Sequence, residues 1–246
     1  MNFSNIDIML LRLKDLKEIG LGSQGICYLN ESTNEVYKIF HQAFDNDTEY
    51  KITYSKNDLM KFSHIINKTF IWSKDIISIN DDIVGYINNF VKSKPLHKID
   101  PLKINLDKFI KSIELAKRDI NIISQNGVLT YDLMYNILYG NRFYVTDFDE
   151  FSYTDKDPKI LEEKNNKNFN YELYYFLIDS YFDDFINEYR VLNKMYKDQE
   201  DIISFIELLK KYLSEYVGYE IKKLNDASIC LNKRKNKEYS YQRLLK

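Results

Sequence analysis

The apolar positions of this chain change their period part-way along it. Over 17 to 29 and again over 35 to 40 they come in short runs, broken by glycines and by Ser32-Thr33-Asn34. Runs of that length bounded by turn chemistry predict strands. Residues 48 to 63 suit a helix, with Asp47 or Thr48 as its N-cap. Strands are expected again near 68–72, 76–79 and 83–87, with Asn80-Asp81-Asp82 turning the chain between the last two. Beyond Lys92-Ser93-Lys94-Pro95 the pattern becomes helical. Leu106, Phe109, Ile110, Ile113, Ala116, Ile120 and Ile123 fall near one face of a helix over 105–125. Residues 170–190, 199–217 and 219–233 predict three more helices, with Gly218 as the stop between the last two. The fold class expected is α+β, an N-terminal antiparallel β-sheet with one helix over 1–91 and a mainly helical region over 92–246, together making one domain.

Composition narrows the function more than the fold. The chain has 246 residues, enough for two small lobes around a cleft. Its 35 Lys+Arg stand against 37 Asp+Glu, so no net field favours nucleic acid or an acidic membrane surface. No apolar stretch reaches the roughly 18 residues of a membrane span. Cys27 and Cys230 lie too far apart for metal-ligand spacing or a disulfide framework. With no basic region ahead of the short N-terminal apolar run, a reduced cytoplasmic setting is expected. The wealth of Ile, Asn, Lys and Tyr reads as the genomic bias of an AT-rich bacterium. His41, His64 and His97 are too few to suggest histidine-based metal or triad chemistry.

Of seven glycines, three fall in Gly20-Leu21-Gly22-Ser23-Gln24-Gly25. A dinucleotide-binding loop would open a helix here, but Ile26 to Leu29 and Glu35 to Phe40 predict strand, turn, strand. A Walker-type loop would need Gly-Lys-Ser/Thr, which is missing. What remains is a glycine-rich hairpin whose backbone N–H groups can lie over phosphates. Taken alone, an ordinary glycine-bearing hairpin reads the same way. Lys38 follows on the next strand, sharing a face with Val36 and Phe40. Between apolar neighbours its ammonium calls for an anion.

The most informative stretch runs from Leu129 to Asp149. Gly140-Asn141 sits between two apolar, aromatic runs, a two-residue hairpin signal. Folded there, Tyr139 faces Arg142 and Asn136 faces Val145. Asp147 then becomes the diagonal neighbour of Asn136, roughly 7–8 Å away on the same face. A carboxylate and an amide oxygen suit Mg²⁺, which takes few protein ligands and completes its shell with phosphates and water. Asp147 would be the principal ligand and Asn136 the second. Asp132, on the loop entering the hairpin, would orient a substrate hydroxyl.

Together these residues resemble the protein-kinase superfamily. Gly20, Gly22 and Gly25 match its glycine-rich loop and Val36-Tyr37-Lys38 its strand lysine. Asp132-Leu133 with Asn136 matches D-L-x-x-x-N, and Asp147-Phe148 begins D-F-G. The resemblance covers about residues 14 to 155. It implies a two-lobed kinase-like fold and transfer of the γ-phosphate of ATP, with Mg²⁺, to a Ser/Thr hydroxyl of a protein. It also implies adenine recognition by the backbone of Ile87, Asn89 and Val91, and a helix carboxylate paired with Lys38, for which Glu49 and Asp58 are the candidates. Thr130-Tyr131 stand in place of His-Arg, Asp149 in place of the third D-F-G residue, and no Ala-Pro-Glu follows. Aminoglycoside- and choline-kinase-like enzymes share D-x-x-x-x-N and a following Asp, so a small hydroxyl-bearing metabolite is a second acceptor. A nucleotide-binding pseudokinase acting as an interaction module is a third reading.

Overall fold

The computed structural model describes residues 1–44, 53–178, 181–199 and 201–231. The chain divides into two compact units, Met1–Lys92 and Ser93–Lys246.

The first unit is built on a six-stranded sheet. Its elements are β1 (Asn2–Phe3), α1 (Ile6–Leu13), β2 (Lys17–Leu21), β3 (Gly25–Asn30), β4 (Glu35–Phe40), α2 (Lys56–Met60), β5 (Asp75–Ile79) and β6 (Asp82–Asn89). The strand order is β1-β5-β6-β4-β3-β2. Only β1 and β5 run parallel, so the sheet is antiparallel nearly throughout, as expected. The alternation along β4 sends Tyr37 and Ile39 into a core with Met9 and Leu13 of α1 and with Ile77, Val84 and Ile87. Phe40 instead packs with Leu59 of α2 and with Tyr86. The helix α1 is an addition to the single helix expected here. Asn5 caps it by accepting from Ile8 N at 3.0 Å.

Other details differ from the sequence reading. The expected caps Asp47 and Thr48 lie outside the described residues. Among those described, α2 begins after Ser55, whose side chain and that of Asp58 form a reciprocal capping box. Residues 68–72 form no strand. Asn67 Oδ1 accepts from Phe70 N at 2.6 Å, and this local turn takes the backbone group a strand ladder would have used. Trp72, placed on that strand by its pattern, donates to Ile65 O at 3.0 Å and stacks on Phe70. Asn80 and Asp81 both have positive φ and join β5 to β6 in a two-residue hairpin.

The second unit contains β7 (Lys94–Pro95), α3 (Leu106–Gln125), β8 (Val128–Leu129), β9 (Ile137–Tyr139), β10 (Phe143–Val145) and β11 (Ser152–Tyr153). There follow α4 (Pro158–Leu177), α5 (Asp183–Glu188), α6 (Arg190–Asp198) and α7 (Ile202–Val217), then a 3-10 stretch at Leu224–Cys230. Asn105 caps α3, and the face anticipated from its period is buried apart from Ile110. Gly218 ends α7 with φ 81°. Where one helix was expected over 170–190, there are two. The first starts at Pro158, with Asp157 capping it by accepting from Lys159 N at 2.9 Å. Where a helix was expected over 219–233, the 3-10 stretch bends at Ala227, whose φ and ψ are not helical.

Phe109 of α3 anchors the β9–β10 hairpin. Its ring centroid lies 5.3 Å from Tyr139 and 5.1 Å from Phe143, and Phe143 meets Phe169 of α4 edge-on at 5.3 Å. Edge-to-face rings at such distances add to the stabilisation from burial.

Candidate active site

The glycine hairpin of the first unit is strand, turn, strand. The extended strand β3, not a helix, begins at Gly25. Its glycines differ in what they allow. A side chain at Gly25 would place its Cβ 2.2 Å from Ile39 O, so only glycine lets β3 and β4 approach there. At Gly20 and Gly22 the nearest atoms would be 3.9 and 3.8 Å away, an ordinary contact. In register, Lys38 stands opposite Cys27 on β3 and Tyr86 on β6. Its ammonium lies 5.4 Å from the centre of the Tyr86 ring and donates to Gln24 Oε1 at 2.9 Å.

Glu49, a candidate partner of Lys38, lies outside the described residues. Asp58, the other, holds the Ser55 backbone N–H and hydroxyl at 2.8 and 2.7 Å, which lowers its pKa. Among the residues assigned to adenine, Ile87 is buried in the core of this unit and its carbonyl accepts from Lys74 N at 2.7 Å. Asn89 pairs with Glu35 and is exposed. Val91 follows the sheet, half-buried.

In the second unit the chain leaves β8 and enters a strained loop. Asp132 has φ 43°, Tyr135 φ 66° and Asp147 φ 62°. Left-handed backbone costs a residue with a side chain roughly 1–2 kcal/mol. Among the described residues, the other non-glycine residues with positive φ, Asn34, Asn80, Asp81 and Gln199, sit in turns or end a helix. Asp132 and Asp147 do neither, Tyr135 standing in the turn closed by Asn136 N on Leu133 O at 3.1 Å, and strain of this kind gathers at functional sites. Within the loop Asn136 Nδ2 donates to Asp132 O at 2.9 Å. The amide nitrogen is thus engaged, and the amide oxygen is the group left to meet a cation. Asp132 itself is exposed.

The hairpin register differs from expectation by one residue. Tyr139 pairs with Phe143 and Ile137 with Val145, so the loop holds Gly140, Asn141 and Arg142. Arg142 is drawn out of the ladder by Asp119 of α3, at 2.6 Å, both side chains being mostly buried. Asn136 consequently stands beside Thr146, whose N donates to Asn136 O at 3.0 Å. The diagonal relation between Asn136 and Asp147 does not hold in this register, and the left-handed turn at Asp147 takes the chain out of the strand.

A buried asparagine fixes the approach to Asp132. Asn165 of α4 is fully buried and accepts from Thr130 N and Oγ1 at 2.8 and 3.0 Å. Its Nδ2 donates to Ser124 Oγ at 2.9 Å and Val128 O at 2.8 Å. One turn on, Asn168 donates to Thr130 O at 2.7 Å. Thr130, the residue two before Asp132, is therefore bolted to α4 through its backbone and hydroxyl. On the far side of the loop, Tyr135 meets His97 edge-on at 5.3 Å. Burial, then nearby Tyr175 and Glu172, raise the phenol pKa of Tyr135. Burial, then Lys98, lower that of His97. Asn165 gave no signal in the sequence, where the helix was expected to begin only at residue 170.

Among the described residues no group of three or more His, Cys, Asp or Glu side chains could hold a metal alone. No helix among the described residues is long and apolar enough to cross a membrane.

No protein-family model and no curated protein matches the sequence. Among solved structures, the chain is similar to a twitchin kinase fragment from C. elegans, with 17% identity and a TM-score of 0.43. That match covers 57% of this chain and 33% of the fragment. The chain is also similar to the PknI kinase domain of Mycobacterium tuberculosis, at 13% identity and TM-score 0.42 over 65% of this chain and 70% of that one. A third likeness is to a chain of the CAK complex from Chaetomium thermophilum bound to ATP-gamma-S, at 11% identity and TM-score 0.44. It covers 61% of this chain and 51% of the other.

Proposed function

We propose that the chain is a phosphotransferase that moves the γ-phosphate of ATP to a hydroxyl with Mg²⁺, its acceptor being a Ser or Thr of a protein. The observation that carries this reading is the strained segment of the second unit, where left-handed backbone falls on the two carboxylates assigned to chemistry and on Tyr135 between Asp132 and Asn136. In this reading Gly20, Gly22 and Gly25 cover the phosphates and Lys38 holds their oxygens. Backbone groups near Asn89 and Val91 meet the adenine, the Ile87 carbonyl being engaged by Lys74. Asp132 orients the acceptor hydroxyl and takes up its proton. Asn136 and Asp147 would hold Mg²⁺, which when bound neutralises charge on the phosphate oxygens. Catalysis is then positioning plus charge stabilisation, the usual division in phosphoryl transfer.

A small hydroxyl-bearing acceptor is the second reading, favoured by one feature. Only Glu150 to Asp157 separate Asp149 from α4. Within them Ser152 and Tyr153 pair with β8, and Thr154 N donates to Gly127 O at 2.9 Å. That connection is spent on the unit's own packing, which leaves little to receive an extended peptide. Transfer of labelled γ-phosphate from Mg-ATP to generic protein and to a panel of alcohols and aminoglycosides, with Asp132→Ala alongside, decides between them. Label on protein that disappears in the variant supports the first reading, and label on a small alcohol the second. No transfer to any acceptor sinks both.

A further inference from the structure

The face of the sheet that carries Lys38 also carries a buried amide. In the β4–β6 register Lys38 stands opposite Tyr86 and Val36 opposite Asn88. Residues two apart on a strand share a face, and the approach of the Lys38 ammonium to the Tyr86 ring shows which one. Tyr37, Ile39 and Ile87 go the other way, into the core with α1. Asn88 is thus the diagonal neighbour of Lys38, roughly 7–8 Å away. It comes directly before Asn89, where β6 ends. Asn88 is only 8% exposed. Its Oδ1 is buried and has no hydrogen-bond partner among the described residues. Such an oxygen carries a desolvation cost that no donor in the sheet offsets. An apolar residue of the same shape would fill the position without that cost, so the amide points to a donor that arrives with a ligand. The terminal torsion of an asparagine is broad, and a small turn brings this oxygen to a donor entering on that face.

We propose that Asn88 selects the nucleobase: its side-chain oxygen accepts a hydrogen bond from the exocyclic amine of an adenine. This deepens the reading of the Lys38 face as a nucleotide site and rests on it. With phosphates at Lys38, the base lies further along the same face, toward Asn88 and the backbone of Asn89 and Val91. The chemistry sets a direction. Adenine carries an amine donor where guanine carries an oxygen acceptor. The Asn88 oxygen pairs with the first and has no proton to share with the second. A site that buries a polar group discriminates most strongly against the analogue that leaves it unpaired.

The test is an equilibrium titration of the full chain, with Mg²⁺, by three triphosphates. These are ATP, purine riboside triphosphate, which lacks the amine, and inosine triphosphate, which has an oxygen in its place. Wild type is compared with Asn88→Leu, which keeps the shape and removes the oxygen, and with Asn88→Asp, which keeps an acceptor. Wild type should bind ATP about tenfold more tightly than either analogue. Asn88→Leu should lose that preference, ATP binding about tenfold more weakly while purine riboside triphosphate binds as before or more tightly. Asn88→Asp should still favour ATP, since its added charge acts on all three sets of phosphates. Asn88→Leu should also raise the unfolding midpoint by about 2–4 °C, because an unpaired buried group is gone. A lower midpoint with all three ligands weakened equally marks a residue that serves only the fold, and overturns the proposal. Equal wild-type affinities for ATP and purine riboside triphosphate, a preference for inosine triphosphate, or an Asn88→Leu protein that still favours ATP overturn it too, and leave the nucleotide site standing. If folded wild type binds none of the three saturably, the nucleotide-site reading itself fails and the role of Asn88 falls with it.

Discussion

The glycine hairpin of the first unit and the Asp132–Asp147 segment of the second use backbone freedom in opposite ways. None of Gly20, Gly22 and Gly25 adopts the left-handed conformation that glycine favours; what Gly25 supplies is room, since a Cβ there would lie 2.2 Å from Ile39 O. In the second unit the left-handed positions are filled by Asp132, Tyr135 and Asp147, with side chains present and the cost accepted. A phosphate cradle can be made from bare N–H groups. On the proposed function, orienting a hydroxyl or holding a cation needs a carboxylate, which glycine would not supply even where the backbone prefers it.

That contrast can be broken at several points. Glycine at Asp132 or Asp147 should relieve strain while removing function. Transfer should fall by about 10²- to 10⁴-fold, while the midpoint of thermal unfolding rises by about 2–4 °C. A midpoint that falls would mean the positive φ stores no strain. Removing the bolt behind the loop should do the reverse. Asn165→Ala strands the buried Thr130 N–H and Val128 carbonyl, and should lower stability by about 2–4 kcal/mol in urea titrations. Unchanged stability there would show the network to be replaceable by water.

Within the first unit the comparison sharpens between two glycines. Gly25→Ala should cost about 1–3 kcal/mol by the same measurement, because backbone must move. Gly22→Ala, with nothing nearer than 3.8 Å, should unfold like wild type and act only on nucleotide affinity. The smallest effect expected is at His97. Burial depresses its pKa below the ordinary value of about 6.5. The unfolded chain therefore takes up a proton at higher pH than the folded one. Stability present above about pH 6.5 should decline as the pH falls toward the folded pKa. His97→Phe should flatten that decline, read as the unfolding midpoint against pH.

Much of this was legible from sequence where the cause is local. The glycine cluster, the Asn80-Asp81 turn, the face of α3 and the stop at Gly218 follow from residues within a few positions of one another. The start of α4 at Asp157-Pro158 was missed, because the apolar pattern drew the boundary a dozen residues late. What could not be read depends on distant partners. The register of the β9–β10 hairpin goes with the ion pair between Arg142 in its loop and Asp119 on α3, far away in sequence. The strand expected at 68–72 gave way to the side chain of Asn67. The left-handed backbone at Asp132, Tyr135 and Asp147 carries no compositional mark, since none is a glycine. Asn165 gains its meaning only when α4 lies against β8.

The short connection from Glu150 to Asp157 has a consequence in time. Its middle is a strand of the small sheet with β8, and its last residue caps α4. An enzyme whose equivalent segment must first be modified or reordered works slowly at the start and accelerates. Here the segment is already seated, so if the chain transfers phosphate, product should accumulate linearly from the first turnover. Preincubation with Mg-ATP should leave the initial rate unchanged.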